Sequence, residues 1–141
     1  NVPASSMTSA SSVEGGEPEL AEVIDEAGTF LIQGNYYADG LELFRGALKR
    51  FPDNVEFLSG ISCCAGHEGL FEEAIEAARK ACALEPENQE HVNDLGWSLY
   101  DAGRLDEAAE MLTRAVEMDP DDELARENLR RCKEAIDKRE P

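Results

Sequence analysis

Apolar and polar positions alternate along most of this chain with the period of a helix buried on one face. Val92, Leu95, Gly96 and Leu99 recur at the i, i+3, i+4 and i+7 positions, which puts them on one side of a helix. The stretch "DAGR" then interrupts the pattern, and Gly103 suits the left-handed position that ends a helix. From Leu105 a second stripe of Ala108, Leu112 and Ala115 begins, and it stops before Pro120. A third stripe follows in "DDELARENLRRCKEAIDKRE", made of Ala125, Leu129, Cys132 and Ile136. Acids crowd its first turn and Lys138 and Arg139 close it, as the helix dipole favours. No stretch reads convincingly as a strand.

The helical pattern repeats. Pro52, Pro86 and Pro120 lie 34 residues apart and close the similar phrases "RFPDN", "LEPEN" and "MDPDD". Other positions keep the same step: Ala27, Ile61 and Leu95; Gly28, Ser62 and Gly96; Asn35, Gly69 and Gly103; Gly40, Ala74 and Ala108; Ala47, Ala81 and Ala115. A fixed period in this range marks a solenoid, in which each unit buries its apolar face against the next. Each unit is expected to be a helix-turn-helix pair. Gly96 lies on the inward stripe, where a missing side chain lets the partner helix approach, with Ala108 expected opposite. On this reading Gly96→Leu overpacks the contact, while Gly96→Ala is nearly neutral.

In phase, period and residue types these units resemble the tetratricopeptide repeat. The family's Leu-Gly pair falls on Ala27-Gly28, Ile61-Ser62 and Leu95-Gly96, and its aromatic twenty-fourth position on Phe44, Ala78 and Leu112. The second unit departs at Ser62, Ala65 and Ala78, which predicts a thinner middle core. The resemblance implies an all-α, right-handed α-solenoid of about seven helices. Its units are expected over residues 19–54, 55–88 and 89–122, with a capping helix and C-terminal end over 123–141. Residues 1–18, rich in Ser, Gly and Pro, read as a flexible tail or linker. The chain starts at Asn1 rather than methionine, as a piece of a longer protein would.

In the family the first helix of each unit lines a concave groove. The matching positions here are Glu22, Asp25, Thr29 and Ile32; Glu56, Ser59, Cys63 and Gly66; Glu90, Asn93, Trp97 and Tyr100. The resemblance thus implies a peptide-binding groove that is acidic at one edge and aromatic near its third unit. Trp97, rotated about 100° from Gly96, leaves the core stripe; packing on the capping helix is the alternative place for it. Tetratricopeptide co-chaperones hold the terminal carboxylates of heat-shock chaperones with cationic and amide side chains at fixed positions. Those positions are Asp25, Thr29, Gly60, Glu90 and Asp94 here, and three of the five are acidic. A carboxylate would be repelled.

Charge narrows the partners further. The chain carries 31 acidic and 13 basic side chains, for a net charge of -18, which disfavours nucleic acid and anionic membranes. The acidity belongs to the repeats, because the last helix is nearly balanced. No apolar run is long enough to span a bilayer, and "NVPASSMTSASSVEGGEP" has neither the basic nor the apolar part of a secretory signal. Cys63, Cys64, Cys82 and Cys132 follow no disulfide or zinc spacing, so reduced thiols in a cytoplasmic compartment are expected. Cys63 and His67 stand four apart on one helix face, but no second pair completes a metal site. Glu72-Glu73 and Asp106-Glu107 read as solvated helix starts. No catalytic set, cofactor or metal is therefore expected.

The reading is a protein-interaction module that takes a basic or apolar segment of a protein or peptide partner; self-association is compatible with it. A chaperone like those of bacterial type III secretion is the second reading. A structural or oligomerisation segment of a larger protein is the third.

Overall fold

The 34-residue period becomes visible as a recurring set of backbone hydrogen bonds. The computed structural model describes residues 2–139, with side chains from residue 16 to 139. Its helices are α1 (Val2–Gln33), α2 (Tyr37–Arg50), α3 (Val55–His67), α4 (Phe71–Leu84), α5 (Gln89–Asp101), α6 (Leu105–Met118) and α7 (Glu123–Arg139). Helix α1 begins within the stretch 1–18 that reads as a tail or linker. Of that stretch, residue 1 and the side chains of 2–15 lie outside the described residues.

The turn inside each unit is the same. Tyr36, Leu70 and Arg104 donate their amides to the carbonyls of Leu31, Ala65 and Leu99 at 2.8, 2.8 and 2.9 Å. Asn35, Gly69 and Gly103 hold the left-handed conformation that this closure needs, with φ of 64°, 77° and 79°. Glycine pays no steric cost there, and asparagine is the side chain that tolerates it best. Between units, the amides of Asn54, Asn88 and Asp122 reach the carbonyls of Phe51, Glu85 and Asp119. The side chains of the same three residues then accept from Phe57, Glu90 and Leu124 and cap α3, α5 and α7.

Successive helices pack on one another, and α1 also meets α3, α3 meets α5, and α5 meets α7. The backbones of α2, α4 and α6 stay apart from one another. A tight inner row and a splayed outer row curve the molecule, with the odd-numbered helices on the concave side. Ion pairs bridge the outer row: Arg45 forks onto Glu73, and Arg79 faces Glu107 at 3.9 Å. Glu73 and Glu107 thus sit in the first turns of α4 and α6, as solvated helix starts with arginine partners.

The core divides along α4. Ala74, Ala77 and Ala81 join Phe44, Phe57, Leu58 and Ile61 on one side, while Ile75 and Ala78 join Leu95, Leu99, Leu112 and Cys132 on the other. In the middle unit Phe57, Leu58 and Ile75 are buried beside the small Ala65 and Ala78, and Ser62, where glycine would allow close approach, shares a hydrogen bond with Ser98 at 3.1 Å instead. Gly96 is a close-packing position, but its neighbour differs from the expected one. A Cβ built on it would lie 2.6 Å from Leu112 Cγ and Cδ2, so Leu112 rather than Ala108 occupies the space. Gly28 and Gly60 do the same for the Phe44 ring, from two different helices.

Candidate functional site

The inner row leaves two clefts that share Ser59. The first, about 330 Å³, lies between α1, α3 and the start of α5, and Asp25, Thr29, Ile32, Glu56, Ser59 and Glu90 line it. The second, about 500 Å³, lies between α3 and α5 and takes Ser59, Cys63, Gly66 and Trp97 from the expected set. Half-buried Trp97 therefore faces this cleft, and Tyr100 stacks on it with ring centroids 4.9 Å apart and planes 21° apart. Glu22 is exposed on α1 outside both clefts.

Asn93 is placed differently. It is buried, and its side-chain oxygen accepts from the Asn128 amide at 3.2 Å. The capping helix covers it, so it is a structural contact between α5 and α7 rather than a groove contact. One position of the repeat thus serves different ends in different units, depending on what the next helix brings over it.

Three other lining residues come from places that a count along the inner helices does not reach. Glu85 and Asn88 enter the first cleft from the α4–α5 connection, and Phe71 enters the second from the start of α4. Asp94 and Asp101 complete the second cleft; Asp101 stands four residues after Trp97, and that spacing marks it as a groove neighbour. At the junction, His91 is buried, with Nδ1 3.4 Å from Ser59 Oγ and Nε2 3.0 Å from Glu85 Oε1. This chain of contacts joins α3, the connection and α5 along the first cleft.

The electrostatics of the lining are one-sided. Asp25, Glu56, Glu85, Glu90, Asp94 and Asp101 contribute carboxylates, and no lysine or arginine lines either cleft among the described residues. Asp94 keeps its tip in water, yet protein crowds it on the concave floor. That partial burial pushes its carboxyl up to about 6, with His91 opposing the shift and Glu90 adding to it. Burial also raises the Asp101 carboxyl, with His67 opposing. Burial first, and Asp94 second, push the Cys63 thiol up. It is protonated at neutral pH, the reverse of an activated nucleophile. His67, four residues on, stacks on Tyr37 with centroids 3.8 Å apart. The described residues hold no cluster of three or more His, Cys, Asp or Glu arranged for a metal, and no described helix is long and apolar enough to cross a membrane.

Comparison with known proteins agrees with this architecture. Two sequence profiles described as tetratricopeptide repeat match residues 25–89 and 67–132. No curated protein sequence matches. Among solved structures, the first TPR domain of human RPAP3 superposes with a TM-score of 0.80 at 20% identity, covering 87% of this chain and 97% of that one. The Sgt2 TPR domain from Aspergillus fumigatus gives 0.76 at 21% identity, covering 83% and 79%. The first TPR of Spaghetti (RPAP3) bound to the HSP90 peptide SRMEEVD gives 0.75 at 20% identity, covering 82% and 92%. With an inner row, an outer row and a recurring turn in each of three units, the chain belongs to the tetratricopeptide repeat family.

Proposed function

We propose that this domain is a protein-interaction module whose concave groove takes a partner segment carrying lysine or arginine beside an apolar anchor. One observation carries the reading: two joined clefts lined by six carboxylates and the stacked Trp97, with no lysine or arginine on their walls among the described residues. A cation entering the second cleft would find the Trp97 face and the Asp94 and Asp101 carboxylates together, the combination that cation–π recognition uses. An apolar anchor would find Trp97 and Phe71.

Peptide binding by the Spaghetti TPR domain supports a segment as the ligand in a solenoid of this shape. The chemistry of that peptide does not carry over. SRMEEVD is acidic at its end, and the corresponding positions Asp25, Glu90 and Asp94 would repel it.

Trp97 is the only tryptophan in the chain, so its fluorescence reports groove occupancy directly. Titration with a synthetic peptide of alternating lysine and leucine is expected to shift that emission. The same peptide with glutamate for lysine should not. Equal binding of both, or binding with unchanged Trp97 emission, would remove the groove from consideration.

A further inference from the structure

Among the described residues α1 is the first helix of the inner row, and no other described helix packs on its side away from α2 and α3. On α3, α5 and α7 the same side is covered by the second helix of the preceding unit. Residues related by the 34-residue step show the difference. Val23 is 59% exposed, whereas Phe57, His91 and Ala125 are buried. Phe30 is 72% exposed, whereas Cys64, Ser98 and Cys132 are buried. With the exposed Leu20 and Ala27 they form one apolar stripe at i, i+3, i+7 and i+10. Glu19 and Glu26 follow its groove-side edge, and no lysine or arginine occurs between residues 16 and 33.

We propose that this stripe is a second docking surface, separate from the groove, and that its occupant is an amphipathic helix of a partner protein flanked by lysine or arginine. The shape comes from the fold, since the equivalent surface of every later inner helix receives a helix. The chemistry comes from charge. A second copy laid face to face would set the Glu19 and Glu26 rows against each other, in chains that each carry a net charge of -18. Helix α7 of a second copy is also a poor fit. Its Arg130 and Arg131 are held by Glu127 and Glu134, and Leu124 is its one exposed large apolar residue among those described. A basic amphipathic helix satisfies both the stripe and the glutamates.

The test uses a synthetic helix of about 18 residues, roughly 27 Å long, with leucine at i, i+3, i+4 and i+7 and lysine elsewhere. An isomer of the same composition with the leucines scattered is the control. Calorimetry with the full chain should show the ordered helix binding at least about tenfold more tightly than the isomer. In a Trp97→Ala background, which removes the groove's aromatic wall, Phe30→Glu and Val23→Glu should each weaken it by about tenfold or more, and Phe30→Leu should retain it. Because the substituted side chains are exposed, circular dichroism should show unaltered folding. Equal binding to Phe30→Glu overturns the proposal, as does equal binding of the isomer, which would mean charge alone. A dimer in sedimentation that Phe30→Glu abolishes, with no binding of the helix, assigns the stripe to a second copy and overturns the partner. Loss of binding in Trp97→Ala but not in Phe30→Glu would move the helix to the groove and leave the groove reading standing.

Discussion

Phe44 and Leu112 stand at the same position of the first and third units, and each fills the gap left by a glycine in the preceding helix. The two solutions differ in rigidity. Phe44 is a flat ring held between Gly28 and Gly60, where built Cβ atoms would come within 2.0 and 2.4 Å of it. Leu112 meets Gly96, where the built Cβ would come within 2.6 Å of its Cγ and Cδ2, with a branched chain in place of a flat ring. The two halves also end differently. The half around Leu112 is closed by α7, which buries Ala125 and Cys132, while the half around Phe44 ends in the exposed stripe of α1. A repeat array has no single core, so closure at one end does not seal the other. The C-terminal half is thus anchored by α7, and the first described helix carries the exposed stripe.

The strongest way to break this contrast is to remove the closure. Ending the chain after Asp121 uncovers the apolar surface under Ala125, Leu129, Cys132 and Ile136. At about 25 cal/mol per Å² of apolar surface, the loss should reach several kcal/mol. Urea denaturation of the truncated chain should show a lower midpoint, and sedimentation should show association through the new face. A truncated chain as stable and monomeric as the parent would mean that α7 closes nothing.

Next in size is overpacking. Gly96→Leu drives a side chain into Leu112 and the α6 backbone, whose Leu112 nitrogen lies 3.3 Å from the built Cβ. It should cost about 1 to 3 kcal/mol or more. The sequence reads Gly96→Ala as nearly neutral, but the 2.6 Å contact requires Leu112 to shift, so a smaller loss is expected. Gly28→Ala should cost more than Gly96→Ala, because the Phe44 ring, with Gly60 behind it, has nowhere to turn. Parallel thermal melts of the two alanine variants measure the contrast, and the reverse order would show that the aromatic half is the softer one.

The same residues show what was legible in the sequence. The 34-residue step exposes anything set by local geometry: Asn35, Gly69 and Gly103 were matched by position, and all three adopt the left-handed turn. Gly96 was legible as a packing glycine because helical phase is local. Its partner was not, because which residue of the next helix arrives opposite depends on the crossing of the two helices. Gly60 shows the same limit more sharply. Its neighbour, Phe44, belongs to the unit before, and a comparison within units does not show it. In the groove, Asp25, Thr29, Glu56, Ser59, Cys63, Glu90 and Trp97 came together because the inner-row positions repeat. Asn93 broke the rule because α7 supplies Asn128 over it, and Glu85 entered from a connection that no helical phase describes.

The third test concerns the two ends of the groove. Trp97→Ala removes the aromatic wall of the cleft in the anchored half and should cost a bound segment about 2 kcal/mol, mainly in dissociation rate. Glu90→Lys alters the acidic cleft and should instead slow association and flatten its dependence on salt, since exposed charges steer and are screened beyond about 8 Å. Stopped-flow binding of the lysine–leucine peptide separates the two rates. Identical effects from both substitutions would mean that the clefts act as one site without division of labour.

The smallest expected effect belongs to Asp94, between the acidic and aromatic ends. Its carboxyl titrates at about 6 in the folded chain, above the ordinary value of about 3.9 in an unfolded one. The folded state therefore binds the extra proton between these values, and stability falls as pH rises through that window. Ionised Asp94 costs stability above pH 6, and the cost is relieved on acidification. Because the side chain keeps contact with water, screening should hold the cost below about 1 kcal/mol. Affinity runs the other way, since a protonated Asp94 no longer attracts a cation. The wild-type chain should thus gain stability and lose affinity for the lysine–leucine peptide as pH falls from 7 to 5. Asp94→Asn should be slightly more stable at pH 7 and lose less affinity over the same range. Subtracting the variant's profile from the parent's isolates the part of each pH dependence that needs the Asp94 carboxylate. A difference profile that is flat between pH 5 and 7 would place the Asp94 carboxylate in ordinary solvent, and the concave floor would then be as open as the exposed stripe of α1.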